Sequence, residues 1–154
     1  MDIGLEEKDR KKIAEGLSIV LANTYALYLK TQNFHWNLAG TDFYSLHLLF
    51  EKQYEELQEA IDEIAERIRA LGFYVDGSFS GFKKLTSIQE EKEKRSIAGM
   101  LKELVRCHEI LIKQGRDLAE QVDKCKEKDL ATIDLLSRRL GVHEKFVWML
   151  RSQI

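Results

Sequence analysis

Not one of the 154 residues in this chain is proline, and only nine are glycine. Proline removes a backbone donor and clashes with the preceding turn, and glycine gives up the most backbone entropy, so both weaken helix interiors. A chain this poor in both can run long helices, provided its apolar residues recur at the helical period.

They do so in four segments. The first is expected from about Glu7 to Phe34, with Ile13, Leu17, Val20, Leu21, Thr24, Leu27 and Tyr28 on one stripe. Asn37-Leu38-Ala39-Gly40 reads as a turn, and Thr41 or Asp42 can cap the second helix. That helix carries the seam Leu57, Ile61, Ile64, Ile68, Leu71 and stops at Gly72. Phe73 to about Ser87 is a long connection with room for a short helix. The third helix is expected from about Ile88 to Val122, with Ile97, Leu101, Leu104, His108 and Leu111 on its stripe. After a charged loop from Lys124 to Lys128, the fourth runs from about Asp129 to Ser152, with Ile133, Leu136, Leu140, His143, Val147 and Leu150 on its seam. Long crossovers join parallel neighbours in bundles. The expectation is one all-α domain over residues 1–154, a four-helix bundle of ferritin-like topology whose crossover between helices two and three holds a short helix.

Composition narrows the function classes. Apolar residues make up 44% and charged residues 32%, with a net charge of −2. This balance argues against a nucleic-acid binder whose affinity rests on neutralising phosphates. No apolar stretch is long enough to span a bilayer. The charged start, Met1 to Lys12, has no apolar signal core, so a cytoplasmic protein is expected. Cys107 and Cys125 form no CxxC pattern and read as free thiols without an assigned role.

The chemistry concentrates on the second helix. At about 100° per residue, Glu51, Asp62 and Glu66 lie roughly 40°, 60° and 100° around the axis from His47. They share one face, roughly 120° from the core seam. At about 1.5 Å rise per residue, the His47/Glu51 pair sits roughly 22 Å from the Asp62/Glu66 pair. One metal ion cannot bridge both pairs within a chain. An antiparallel symmetric copy of the helix could bring them together, because a two-fold interface is self-complementary. The competing reading is an ordinary solvated stripe. Two i,i+4 pairs of ligand-type side chains favour the site. His35, across the Gly40 turn, could approach the His47 end. Imidazole and carboxylate suit iron or zinc, and the scarcity of thiols favours a redox iron site over structural zinc.

The segment His35-Trp36-Asn37-Leu38-Ala39-Gly40, followed by Leu46-His47 and Glu51, resembles the signature of the Dps family, the DNA-protection-during-starvation mini-ferritins. Asp62-Glu63-Ile64-Ala65-Glu66-Arg67 with Leu71-Gly72 resembles the second motif of that family, and His143-Glu144-Lys145-Phe146-Val147-Trp148-Met149-Leu150 its usual ending. The resemblance implies a hollow dodecamer with ferroxidase sites at two-fold interfaces. There His35, His47 and Glu51 of one subunit and Asp62 and Glu66 of its partner would bind one or two iron ions, with zinc able to substitute. It further implies oxidation of Fe(II), preferably by hydrogen peroxide, storage of ferric mineral, and protection against oxidative damage. Trp36 would either shield the site and intercept radicals or pack at the interface. Asp129 and Asp134, assisted by Asp123 and Glu127, would line an iron-entry pore; otherwise the two aspartates simply complement the helix dipole.

The chain departs from the family pattern in places. Glu51 stands where many members carry aspartate, Phe73-Tyr74-Val75 alters the start of the crossover, and the first twelve residues balance acids against bases. DNA binding, which would place the protein in the nucleoid, is therefore not favoured. His108 and His143 lack the Glu-x-x-His pattern of the metal centres inside larger bundles and read as core histidines. The reading is a cytoplasmic iron-storage ferroxidase. A nucleoid DNA protein with secondary iron chemistry and a zinc-bridged structural assembly stand as alternatives.

Overall fold

In the computed structural model, which describes residues 2–154, five helices follow one another: α1 (Glu7–Asn37), α2 (Phe43–Ala70), α3 (Phe79–Leu85), α4 (Ile97–Asp123) and α5 (Leu130–Arg151). Among the described residues there is no strand. Helices α1 and α2 pack as a hairpin, as do α4 and α5, while α1 also meets α4 and α2 meets α5. The four long helices therefore form a closed bundle, with the short α3 lying on α1. The architecture matches the all-α expectation.

The stripes read from the sequence are the ones that point inward. Ile13, Leu17 and Leu27 of α1, Leu57, Ile64 and Ile68 of α2, Leu101, Leu104 and Leu111 of α4, and Leu136 and Leu150 of α5 are all buried in one apolar core. Burial of these faces is the main term holding such helices, because isolated helices are marginal in water. Gly72, at φ 96°, supplies the left-handed residue that ends α2 where expected.

Helix α4 departs from expectation. It begins at Ile97, not Ile88, with the Ser96 side chain capping it by accepting from the Gly99 amide at 3.2 Å. The segment from Gln89 to Arg95 is a charge run without an apolar face, so it has nothing to bury as a helix. Ile88 itself is buried as an anchor. The crossover is held by a residue absent from the sequence reading, Asn23 of α1. Its Oδ1 accepts from Thr86 Oγ1 at 2.8 Å and the Ser87 amide at 2.9 Å, while its Nδ2 donates to Gln114 of α4 at 2.8 Å.

Lys30, near the end of α1, pairs with Glu103 near the start of α4, and Gly16 abuts Leu118 at the opposite ends of the two helices. Helices α1 and α4 thus run antiparallel, and α4 runs parallel to α2. The crossover connects helices that are parallel but diagonal in the bundle, rather than direct neighbours. Among the described residues no helix is long and apolar enough to cross a membrane.

Candidate metal centre

Helix α1 continues one turn beyond expectation, to Asn37, and so presents His35 in its last turn, opposite His47 in the second turn of α2. The two imidazoles stack with centroids 3.6 Å apart and planes at 19°. Their hydrogen bonds are reciprocal. His35 Nδ1 donates to the His47 carbonyl at 2.9 Å, and His47 Nδ1 donates to the His35 carbonyl at 3.2 Å. A carbonyl oxygen can only accept, so each Nδ1 carries the hydrogen, and the lone pair of a neutral ring then sits on Nε2. This is the tautomer a metal ligand requires, fixed by a backbone partner at the other ring nitrogen. The His35 carbonyl lies among the last four of α1, which lack helical partners. The histidine pair therefore also closes the α1–α2 corner.

Other rings hold the pair. Phe43 stacks on His47 at 4.8 Å, and Tyr54 meets His35 edge-on at 5.1 Å. Glu51, half-buried and one turn beyond His47, accepts from the Tyr54 hydroxyl at 3.5 Å. Burial, and then the nearby Glu51 charge, push the Tyr54 phenol above its ordinary pKa, so it stays protonated. Tyr54 was missed in the sequence. Its signal was there, since seven residues after His47 is almost two whole turns on the same face.

Asp62 and Glu66 are exposed farther along α2. Among the described residues no three His, Cys, Asp or Glu side chains converge to hold a metal ion within the chain. The five residues singled out from the sequence thus stand apart in two places, His35, His47 and Glu51 where α1 meets α2, and Asp62 and Glu66 farther along α2.

A family model described as a ferritin-like domain matches residues 14–154. A DNA protection during starvation protein from Porphyromonas gingivalis is 36% identical over 149 residues, spanning 97% of this chain and 92% of that protein. This chain belongs to the Dps family. An uncharacterized low temperature-induced protein of Nostoc is 41% identical over 157 residues, covering 100% of this chain and 86% of its own length. The crystal structure of Dps from Vibrio cholerae superposes with a TM-score of 0.92 at 37% identity, covering 98% of this chain and 94% of that one. That protein is described as a member of a broad superfamily of ferritin-like diiron-carboxylate proteins.

The remaining residues of this Dps-family chain sort by environment. Trp36 is 63% exposed. Asp129 is buried and caps α5, accepting from the Thr132 amide at 3.1 Å, while Arg67 Nη2 lies 2.7 Å from both of its carboxylate oxygens. Burial alone would raise its pKa, but the hydrogen bonds from Arg67 and Thr132 outweigh it and hold the carboxyl below its ordinary value. Asp129 is committed inside the subunit, where the pore expectation had it facing a channel. Asp134 is exposed and pairs with Arg138 at 3.0 Å. Asp123 pairs with Lys128, and Glu127 with Lys126. Cys107 is buried, and desolvation pushes its thiol up to about 12, so it is inert.

His108 and His143 meet in the core. Their Nδ1 atoms are 2.9 Å apart, and His108 Nε2 lies 3.4 Å from Gln53 Oε1. One direction satisfies the chain of bonds. His143 donates to His108, and His108 donates to Gln53. Two neutral rings serve each other there, as the core reading expected.

Proposed function

We propose that this Dps-family chain oxidises Fe(II), preferentially with hydrogen peroxide, at sites shared between two subunits of a cytoplasmic dodecamer. The ferric product is then stored inside the shell, which protects against oxidative damage. The observation that carries this reading is the reciprocal His35–His47 pair, which ties up both Nδ1 atoms and leaves both Nε2 atoms out of its bonds, with Glu51 one turn farther along α2. Two imidazoles with three carboxylates form a donor set that suits Fe(II).

In this reading His35, His47 and Glu51 bind the substrate iron from one subunit, and Asp62 and Glu66 from the partner. The roughly 22 Å along α2 between the half-sets is what an antiparallel two-fold pairing would close. The exposed Trp36, Phe43, Tyr44 and Leu48, clustered in sequence at this corner, would be covered by the same pairing. Two Fe(II) ions give one electron each to peroxide, the O–O bond breaks, and two protons complete two waters. The protein supplies ligand geometry and keeps both electrons at one place, so that no hydroxyl radical escapes. Asp134, the exposed carboxylate of the two pore residues singled out from the sequence, would serve iron entry. Zinc would compete for the same donors.

The test is anaerobic Fe(II) loading followed by hydrogen peroxide, reading ferric absorbance and iron retained in a large soluble assembly. Rapid oxidation with retention is the expected result. Oxidation no faster than buffer, with iron precipitating, overturns the reading.

A role on DNA is the second reading. It is prompted by a nutrient stress-induced DNA-binding protein of Nostoc, 41% identical over 81 residues. The start of this chain offers little to phosphates, and Arg10 is spent on the Leu71 carbonyl at 2.7 Å. A strong, salt-sensitive DNA shift would favour that reading.

A further inference from the structure

Three tyrosines lead away from the histidine pair. Tyr54 has its hydroxyl 3.5 Å from Glu51 Oε1 and its ring 5.1 Å from the His35 ring. Tyr28 of α1 meets Tyr54 edge-on at 6.2 Å, and Tyr25, one turn back on α1, meets Tyr28 edge-on at 5.9 Å. Gln32 Nε2 donates to the Tyr28 hydroxyl at 3.0 Å and fixes its place. Beyond Tyr25 stands Phe82 of α3, at 4.8 Å. Phenylalanine is far harder to oxidise than tyrosine, so a chain of oxidisable rings ends at Tyr25. All three tyrosines are half-buried. Aliphatic side chains would fill these helix-face positions as well as phenols if packing were their only purpose.

We infer that Tyr54 is a one-electron donor to the oxidation site, with Tyr28 and Tyr25 as the relay that carries the resulting vacancy away. The inference rests on the ferroxidase reading above. It addresses the case in which a site holds a single Fe(II) when hydrogen peroxide arrives. Peroxide needs two electrons, and one iron supplies only one. Tyr54 supplies the second together with its phenolic proton. One further proton comes from solvent. The O–O bond breaks, Fe(II) becomes Fe(III), the Tyr54 phenol becomes a neutral phenoxyl radical, and two waters form. Hydrogen-atom or electron exchange from Tyr28 and then Tyr25 restores Tyr54. The radical moves from the metal toward α3, away from the ligands it would otherwise oxidise.

The experiment uses the assembled protein loaded anaerobically with one Fe(II) per site, then mixed with hydrogen peroxide. Paramagnetic resonance follows the radical, and a nitrone spin trap follows hydroxyl radical. The wild type is expected to show a tyrosyl signal whose hyperfine structure collapses when tyrosine is ring-deuterated. Tyr54→Phe keeps the ring packing and is expected to lose the signal while the hydroxyl adduct rises several-fold. Tyr28→Phe cuts the link between Tyr54 and Tyr25, so the radical is expected to form and to stay on Tyr54 rather than pass to Tyr25. A wild-type signal retained in Tyr54→Phe, or one insensitive to tyrosine deuteration, overturns the inference. So does fast oxidation at one iron per site with no protein radical, and in that case the ferroxidase reading stands. A wild type that oxidises iron no faster than buffer overturns both.

Discussion

His108 and His143 share a single hydrogen bond between their Nδ1 atoms, 2.9 Å apart, in the buried centre of the bundle. The bond needs one ring to donate and the other to accept, so His108, whose Nδ1 accepts, cannot take up a second proton without breaking it. Burial, with some help from the Arg139 charge, lowers the His108 pKa from 6.5 to about 3. It also drives His143 well below 6.5, with His108 and Arg139 adding to the effect.

Acid should therefore weaken the fold in a defined window. Between pH 6.5 and about 3 the unfolded chain binds protons that the folded histidines refuse, so stability falls as pH drops through that range. Each proton contributes a slope of about 1.4 kcal/mol per pH unit. Glu103, hydrogen-bonded to Arg106 and then Lys30 and held down to about 2, adds loss only below its ordinary 4.5. The stretch from 4.5 to 6.5 thus belongs to the histidines. Denaturant midpoints measured across it should fall with acidification in the wild type and flatten in His108→Asn. A flat wild-type profile would remove the buried pair as the cause.

Asp129→Ala removes a helix cap and strands the Arg67 guanidinium, which reaches the carboxylate at 2.7 Å. Breaking one side of a buried pair costs about 3–5 kcal/mol. Chemical denaturation should show this loss. Asp134→Ala, at an exposed pair, should cost about 1 kcal/mol or less.

Asn23→Leu should free the crossover. It leaves Thr86, the Ser87 amide and Gln114 without their partner. Thr86 and Gln114 are half-buried and Ser87 is exposed, so water can replace part of each lost bond, and the cost is about 1 kcal/mol per bond. Amide hydrogen exchange should speed up around residues 86–88 more than in the core of α2. Uniform acceleration throughout the bundle would mean that Asn23 supports the whole fold and not this segment.

If the site is shared, His47→Ala and Asp62→Asn should each abolish fast iron oxidation while leaving assembly intact. Co-assembled with each other, the two inactive chains should recover part of the activity, because one of the two sites at a mixed interface is then wild-type. Absence of recovery in proven mixed shells would place all the ligands in one chain and contradict the split.

Much of this was legible in the sequence because it is periodic. An apolar stripe at helical spacing must be buried whatever it packs against, so Leu17, Leu57, Leu104 and Leu136 declared their helices and their inward faces. The ligand-type residues on α2 were legible for the same reason, since His47, Glu51, Asp62 and Glu66 share a face by arithmetic alone.

What only the tertiary structure decided depends on partners far apart in the chain. The start of α4 turned on the lack of anything for residues 89–95 to pack on. Asp129 became a buried cap because Arg67, on another helix, reaches it. Which nitrogen of His35 and His47 is left for a metal was decided where two helix ends cross and each backbone carbonyl meets the other's ring. Periodicity is a property of neighbours along one helix. Charge satisfaction and tautomer are properties of neighbours in space.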